Sequence, residues 1–192
     1  MNQQITYPYI VKILQNYISP NDKVLEIGCG AKQYREYLPK SEYYGLDLPQ
    51  SSYVDEAPDY PCSAEDMPVE NESFDCIFGV ATFYLHGDPD RTFRECYRAL
   101  KPGGRFIVFD YKQSLLKKIK TDKRYTHVQT WGASELSNRL SLAGFSEDGL
   151  QNISGMVDYW DYPSAVRLLV RSIKRLLGLE VSNWLIIYAE KK

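Results

Sequence analysis

Cysteine is scarce and poorly spaced for chemistry: the 192 residues hold four, Cys29, Cys62, Cys76 and Cys96, with no C-x-x-C pair. That spacing excludes a zinc ribbon or a disulfide framework and leaves reduced packing residues, as expected of a cytoplasmic protein with no metal site. Met1 to Ile10 lacks a basic segment followed by an apolar core, so it does not read as a secretory signal. No apolar run approaches bilayer length, and no low-complexity stretch or internal repeat interrupts the chain. With 44% hydrophobic and 25% charged residues, 1–192 reads as one globular domain with a sizeable core.

Lysine and arginine are absent from Ser41 to Asp90, a stretch with twelve of the 25 acids; all 23 basic residues lie elsewhere, although the formal net charge is only -2. The segregation either reflects solvated loops or sets an acidic surface for a cationic ligand apart from a basic one for an anionic acceptor. No nucleic-acid partner is expected, and nothing fixes the oligomeric state.

The rest is organised around Lys23-Val24-Leu25-Glu26-Ile27-Gly28-Cys29-Gly30. A short apolar run after the turn-like Ser19-Pro20-Asn21-Asp22 predicts a buried parallel strand ending in a glycine turn, with a helix to follow. Two glycines one residue apart let the backbone turn sharply and bring a ligand against main-chain N–H groups, where a Cβ would block the approach. Glu26, just before the turn, suits a cationic or hydroxyl-bearing ligand better than a pyrophosphate.

Before this strand, Ile10, Val11, Leu14 and Ile18 give Tyr7 to Ile18 a helical spacing. After it, Gln33 to Leu38 predicts a short helix stopped by Pro39, and Tyr43 to Asp47 a second strand. Asp47 stands about 20 residues beyond the turn, where a carboxylate can accept both ribose hydroxyls of an adenosyl ligand. From Asp47 to Ser63 three prolines and no helical periodicity predict an irregular link. Phe74 to Val80 reads as a central buried strand, and Ala81 to Pro89 lies where open α/β sheets bind ligands. There His86 is either a general base or an organiser of the turn, while Thr82, Phe83 and Tyr84 are expected to wall a substrate pocket. Asp88-Pro89 opens a helix that Lys101-Pro102-Gly103-Gly104 stops, with a strand from Arg105 to Asp110. Ser134 to Ala143 predicts another helix closed by Gly144, Phe145 opens a sixth strand, and Trp184 to Ala189 forms the last.

Glu26-x-Gly28-x-Gly30 resembles the first motif of the class I S-adenosylmethionine-dependent methyltransferases, of the small single-domain, type 11-like kind, in which the acid lies near the methionine end and the glycines admit the cofactor. Ser63-Ala64-Glu65-Asp66-Met67-Pro68 and Asn71 to Asp75 resemble the family's adenine motif and its lead-in to strand four; Arg91 to Gly104 resembles its post-motif helix and turn. The resemblance runs from about Val24 to Gly144, supported by Trp184 to Ala189. It departs at Lys32, where the family often has a third glycine, and at Ser63, where an Asp often precedes the alanine.

The resemblance implies a Rossmann-like three-layer α/β sandwich with a mostly parallel seven-stranded sheet and an antiparallel last strand. It implies S-adenosylmethionine as cofactor, with S-adenosylhomocysteine as product, held by Glu26, Gly28, Gly30, Asp47, Leu48, Ser63, Ala64, Glu65 and Gly79. The adenine would be met by the Ser63 hydroxyl, by Glu65 or Asp66, or by the Ala64 N–H. The implied activity is methyl transfer to a small acceptor, a glycan or other metabolite. A catalytically silent cofactor-binding or assembly subunit is the alternative, and a nicotinamide-dependent oxidoreductase is disfavoured because G-x-G-x-x-G is not completed.

Two inserts, near 111–131 and 155–182, carry the individuality. Lys112 to Arg124 holds six basic residues and one acid and leads to Tyr125 and Trp131, which with Tyr159 and Trp160 are acceptor-pocket candidates. This insert is either an acceptor lid or a solvated basic loop. Ser164 to Leu177 has a cationic amphipathic pattern, read as a helix lying on its own domain, a lid included, or as a membrane-surface or partner contact.

Overall fold

The computed structural model describes residues 7–49, 56–111, 129, 131–154 and 184–192. Its strands are β1 (Lys23–Ile27), β2 (Glu42–Asp47), β3 (Tyr60–Pro61), β4 (Phe74–Val80), β5 (Leu100–Tyr111), β6 (Gln151–Asn152) and β7 (Trp184–Glu190); its helices are α1 (Pro8–Tyr17), α2 (Pro89–Ala99) and α3 (Ala133–Ala143). The strands form one sheet in the order β3-β2-β1-β4-β5-β7-β6. Pairing is parallel from β3 through β5, while β7 runs antiparallel to both β5 and β6. This is the mostly parallel seven-stranded sheet with an antiparallel last strand expected from the sequence.

Both faces of the sheet are covered, which is why its central strands are apolar almost throughout. Val24, Cys76, Phe78, Ile107 and Phe109 pack with Ile10, Ile13 and Leu14 of α1 on one face. Leu25, Ile27, Ile77, Phe106 and Val108 pack with Phe93 of α2 and Leu136 and Leu140 of α3 on the other. The Asp88 carboxylate caps α2, accepting from the Arg91 N–H at 2.9 Å, and Pro89 takes the first helical position. Gly144, at φ 119°, ends α3 in a left-handed conformation. The register that positions the site aligns Ile27 with Leu46 on one side and with Gly79 on the other, so β1, β2 and β4 end together.

Three expectations are corrected. No regular helix follows the glycine turn: Gly28, Gly30 and Lys32 have φ of 66°, 49° and 52°, and such left-handed residues interrupt a right-handed ladder, leaving turns and a single short 3₁₀ segment, Arg35–Tyr37. Strand β5 begins at Leu100 rather than Arg105, because the register shifts between Phe74 and Cys76 and absorbs the Pro-Gly-Gly segment as an irregularity within the strand. Phe145 does not open a strand; its ring stacks on Phe106 at 5.6 Å, and a 3₁₀ turn, Glu147–Gly149, precedes the short β6. Residues 56–59 carry no helix, in line with the irregular link expected there.

Candidate functional site

At the common carboxyl ends of the strands, Gly28 and Cys29 donate their N–H groups to the Leu46 carbonyl at 2.8 and 3.0 Å, which straps the turn onto β2. The Asp47 carboxylate completes the strap, accepting from the Gly30 N–H at 2.8 Å and the Leu48 N–H at 2.7 Å. Each oxygen accepts one bond, so each retains acceptor capacity for a hydroxyl. A Cβ on Gly28 would lie 2.3 Å from Thr82 Oγ1. The space that glycine leaves is therefore taken by a side chain of this protein, and not only by a ligand as the sequence suggested.

Lys32 keeps the left-handed geometry of a glycine but sends its side chain inward, where only 3% is exposed. There its ammonium meets Glu56 Oε1 at 3.2 Å and Asp59 Oδ2 at 3.1 Å, and the same Asp59 oxygen accepts from the Gly45 N–H at 2.7 Å. The glycine loop is thus tied sideways to the segment entering β3.

Opposite the turn, Ser63 Oγ accepts from the Glu65 N–H at 3.2 Å, closing the loop that carries the buried Ala64. Glu65 Oε1 accepts from the Asp88 N–H at 2.9 Å, joining this loop to the one after β4. That second loop leaves the sheet through Ala81, a non-glycine residue at φ 53° whose N–H donates to the Phe109 carbonyl at 2.7 Å. The two loops and the turn enclose a cavity of about 200 Å³ lined by Gly28, Asp47, Leu48, Ser63, Ala64, Glu65, Thr82 and His86, together with Ile27, Leu46, Cys62, Leu85 and Gly87.

Residues 25–108 match the family described as "Methyltransferase domain". Over that span, 84 of the 192 residues, the chain resembles a class I S-adenosylmethionine-dependent methyltransferase domain. It is 26% identical over 146 residues to malonyl-[acyl-carrier protein] O-methyltransferase of Methylococcus capsulatus, covering 67% of this chain and 53% of that protein. It is 27% identical over 126 residues to demethylmenaquinone methyltransferase of Symbiobacterium thermophilum, covering 56% and 50%. The chain thus spans about half the length of these curated relatives. Phosphoethanolamine N-methyltransferase 2 of Haemonchus contortus, solved with phosphomonomethylethanolamine and S-adenosylhomocysteine, superposes with a TM-score of 0.63 at 19% identity over 94% of this chain and 52% of its own, which shows the shared fold.

The resemblance implies S-adenosylmethionine as cofactor, and the cavity fits it in charge. Its lining contains two carboxylates, Asp47 and Glu65, and no lysine or arginine among the described residues. A sulfonium cation gains from that surface, whereas a pyrophosphate is repelled.

Not every expected residue reaches the cavity. Glu26 lies on the α1 face of β1, 2% exposed, and accepts from the Tyr43 hydroxyl at 2.5 Å. Burial pushes its carboxyl up to about 8, against the Tyr43 hydrogen bond and with a further push from Asp47. Gly30 reaches the site only through its bond to Asp47. A Cβ on Gly79 would lie 2.7 Å from the Phe83 ring, so that glycine makes room for packing instead of bordering the cavity.

Phe83 and Trp131, expected as pocket walls, are core residues: Phe83 packs on Phe93 and Phe106, and Trp131 lies 6.2 Å from Phe93 with the Arg139 guanidinium over its ring. Tyr84 packs its ring on Tyr111 at 5.6 Å, away from the cavity lining. Tyr125, Tyr159, Trp160 and the 164–177 pattern lie outside the described residues. Among the described residues no helix is long and apolar enough to cross a membrane, and no group of three or more His, Cys, Asp or Glu is arranged to hold a metal ion.

His86 borders the cavity, and burial pushes its ring down to about 4, with Glu65 and Asp47 opposing the shift. It is therefore neutral near pH 7. Cys62 is a half-buried free thiol on the lining, unlike the buried Cys29, Cys76 and Cys96. Lys32, Tyr43 and Thr92 were not selected from the sequence as site residues. For Thr92 a signal existed: the Asp88-Pro89 cap fixes the helix phase and puts residue 92 on the buried face with Phe93 and Cys96.

Proposed function

We propose that this protein transfers the methyl group of S-adenosylmethionine to a small acceptor, a glycan or other metabolite, at the cavity between the glycine turn and the loop after β4. The observation that carries the reading is the charge of the lining, with Asp47 and Glu65 present and no lysine or arginine on it among the described residues. When bound, the cofactor supplies an electrophilic methyl on a sulfonium that leaves with the C–S electron pair on sulfur. Asp47 accepts the ribose hydroxyls, Ser63 and the Ala64 N–H meet the adenine, and Gly28 alone of the turn borders the cofactor's cavity. Proximity and in-line orientation supply much of the rate, so the chain's main contribution is to hold the two reactants in register. The whole of 1–192 is taken as one domain, and acceptor choice is assigned to the inserts near 111–131 and 155–182.

Calorimetry tests the reading: S-adenosylhomocysteine should bind and NAD should give no heat. Tight NAD binding without S-adenosylhomocysteine binding would replace the methyltransferase with the oxidoreductase. S-adenosylhomocysteine binding with no turnover across a broad acceptor screen would favour the silent subunit.

A further inference from the structure

A chain of polar groups runs from the cavity into α2. Thr82 Oγ1 lies 3.3 Å from His86 Nε2, His86 Nδ1 lies 2.9 Å from Thr92 Oγ1, and Thr92 Oγ1 lies 3.3 Å from the Asp88 carbonyl oxygen. Thr92 is wholly buried, so its hydrogen bonds must be made within the protein, whereas Thr82, 8% exposed, borders the cavity and is within reach of an acceptor there. Each hydroxyl has one proton to place, and a neutral imidazole has one.

Only one direction places all three on acceptors among the described residues. Thr92 donates to the Asp88 carbonyl, a common back-bond within a helix, which leaves its oxygen to accept from His86 Nδ1–H. Nε2 then carries a lone pair and accepts from the Thr82 hydroxyl. Running the chain the other way turns the Thr92 proton onto Nδ1, gives up the Asp88 bond, and leaves the Thr82 proton with no acceptor among the described residues. The ring is neutral near pH 7, as both directions require.

We propose that Thr92 is a positioning residue that holds His86 as the Nδ1–H tautomer, so that Nε2, reached through the Thr82 hydroxyl, takes the proton of a hydroxyl acceptor. The proposal rests on the methyltransferase reading and deepens it by naming the acceptor as an alcohol or phenol. The acceptor's O–H proton passes to Thr82 Oγ1 as Thr82's own proton moves to Nε2. The electron pair left on the acceptor oxygen forms the new O–C bond, and the C–S pair stays on sulfur. His86 becomes an imidazolium, a charge that burial disfavours and that Glu65 and Asp47, the two carboxylates that act on the ring, offset only in part. A hydroxyl is the acceptor that needs this assistance, because it is a poor nucleophile until its proton is taken.

Long-range ¹H–¹⁵N correlation on the ¹⁵N-labelled protein reads the tautomer directly, and with only two histidines in the chain a His86→Gln spectrum assigns it. The wild type should show Nδ1 as the protonated nitrogen and Nε2 as the unprotonated one. Thr92→Val should shift the Nδ1–H to Nε2–H ratio about tenfold toward Nε2–H, the effect of one lost hydrogen bond, and Thr92→Ser should restore it. S-adenosylhomocysteine affinity, followed by calorimetry, should be the same in all three. In a screen with labelled S-adenosylmethionine, hydroxyl acceptors should be methylated, with kcat about tenfold lower in Thr92→Val and KM unchanged. A wild-type Nε2–H tautomer, or an unchanged ratio in Thr92→Val, overturns the positioning role. Methylation confined to amines or thiols overturns the proton role. Loss of S-adenosylhomocysteine binding in the wild type would overturn the methyltransferase reading instead, with the tautomer still decided by the spectrum.

Discussion

Glu26 offers a test of whether its buried carboxyl is neutral in the folded protein. Its ordinary value of 4.5 is raised to about 8 in the fold, chiefly by burial. At about 1.4 kcal/mol per pH unit, that difference amounts to about 5 kcal/mol. Below pH 4.5 the carboxyl is protonated folded or unfolded, and it costs the fold nothing. Between 4.5 and about 8 the unfolded chain gives up this proton while the folded one keeps it, so unfolding releases a proton and stability falls as pH rises. Above about 8 both states are ionised and the penalty stays constant.

Glu26→Gln removes the titration and keeps an acceptor for the Tyr43 hydroxyl. Urea unfolding of both proteins from pH 5 to pH 8 should show the variant gaining on the wild type by about 4 kcal/mol across the range. Asp110, another fully buried acid whose carboxyl is raised well above its ordinary value, changes stability in the same direction but equally in both proteins, so it cancels in the comparison. A difference between the two proteins that does not change with pH would refute the reasoning and mean that Glu26 is ionised in the fold.

Gly28→Val should lower the stability of the ligand-free protein by about 3 kcal/mol or more, through left-handed strain plus the collision with Thr82, as read by thermal melting. A normal melt with lost S-adenosylhomocysteine binding would mean instead that only the ligand needs that space. Asp47→Ala should weaken S-adenosylhomocysteine binding about 10-fold to 150-fold in calorimetry, the value of a charged hydrogen bond to the ribose; unchanged affinity would remove the assignment. Lys32→Gly should change urea stability by no more than about 1 kcal/mol, because relief of left-handed strain offsets an ion pair whose carboxylate partners are 62% and 39% exposed. A loss above about 3 kcal/mol would show that the Lys32 clamp holds the loop.

The sequence by itself determined what local geometry determines. An apolar run ending in Gly-Cys-Gly can serve only as a covered strand leading into a tight turn, so β1, the turn and the carboxylate ending β2 were legible without coordinates. The caps of α2 and α3 were equally legible, because Asp-Pro and Gly act on backbone within one turn. What the side chains beyond the turn do was decided by tertiary structure. Thr82, Phe83 and Tyr84 are consecutive and alike as candidates, yet the alignment of Ile27 with Gly79 sets Thr82 against Gly28, drives Phe83 into the core and turns Tyr84 toward Tyr111. Glu26 sits one residue from Ile27 and therefore on the opposite face of the strand, an alternation the sequence contains, but that its face is dry follows only from what packs there. Thr92 and His86 meet because a helix cap and a loop after a different strand converge, and no spacing along the chain encodes the 2.9 Å between them.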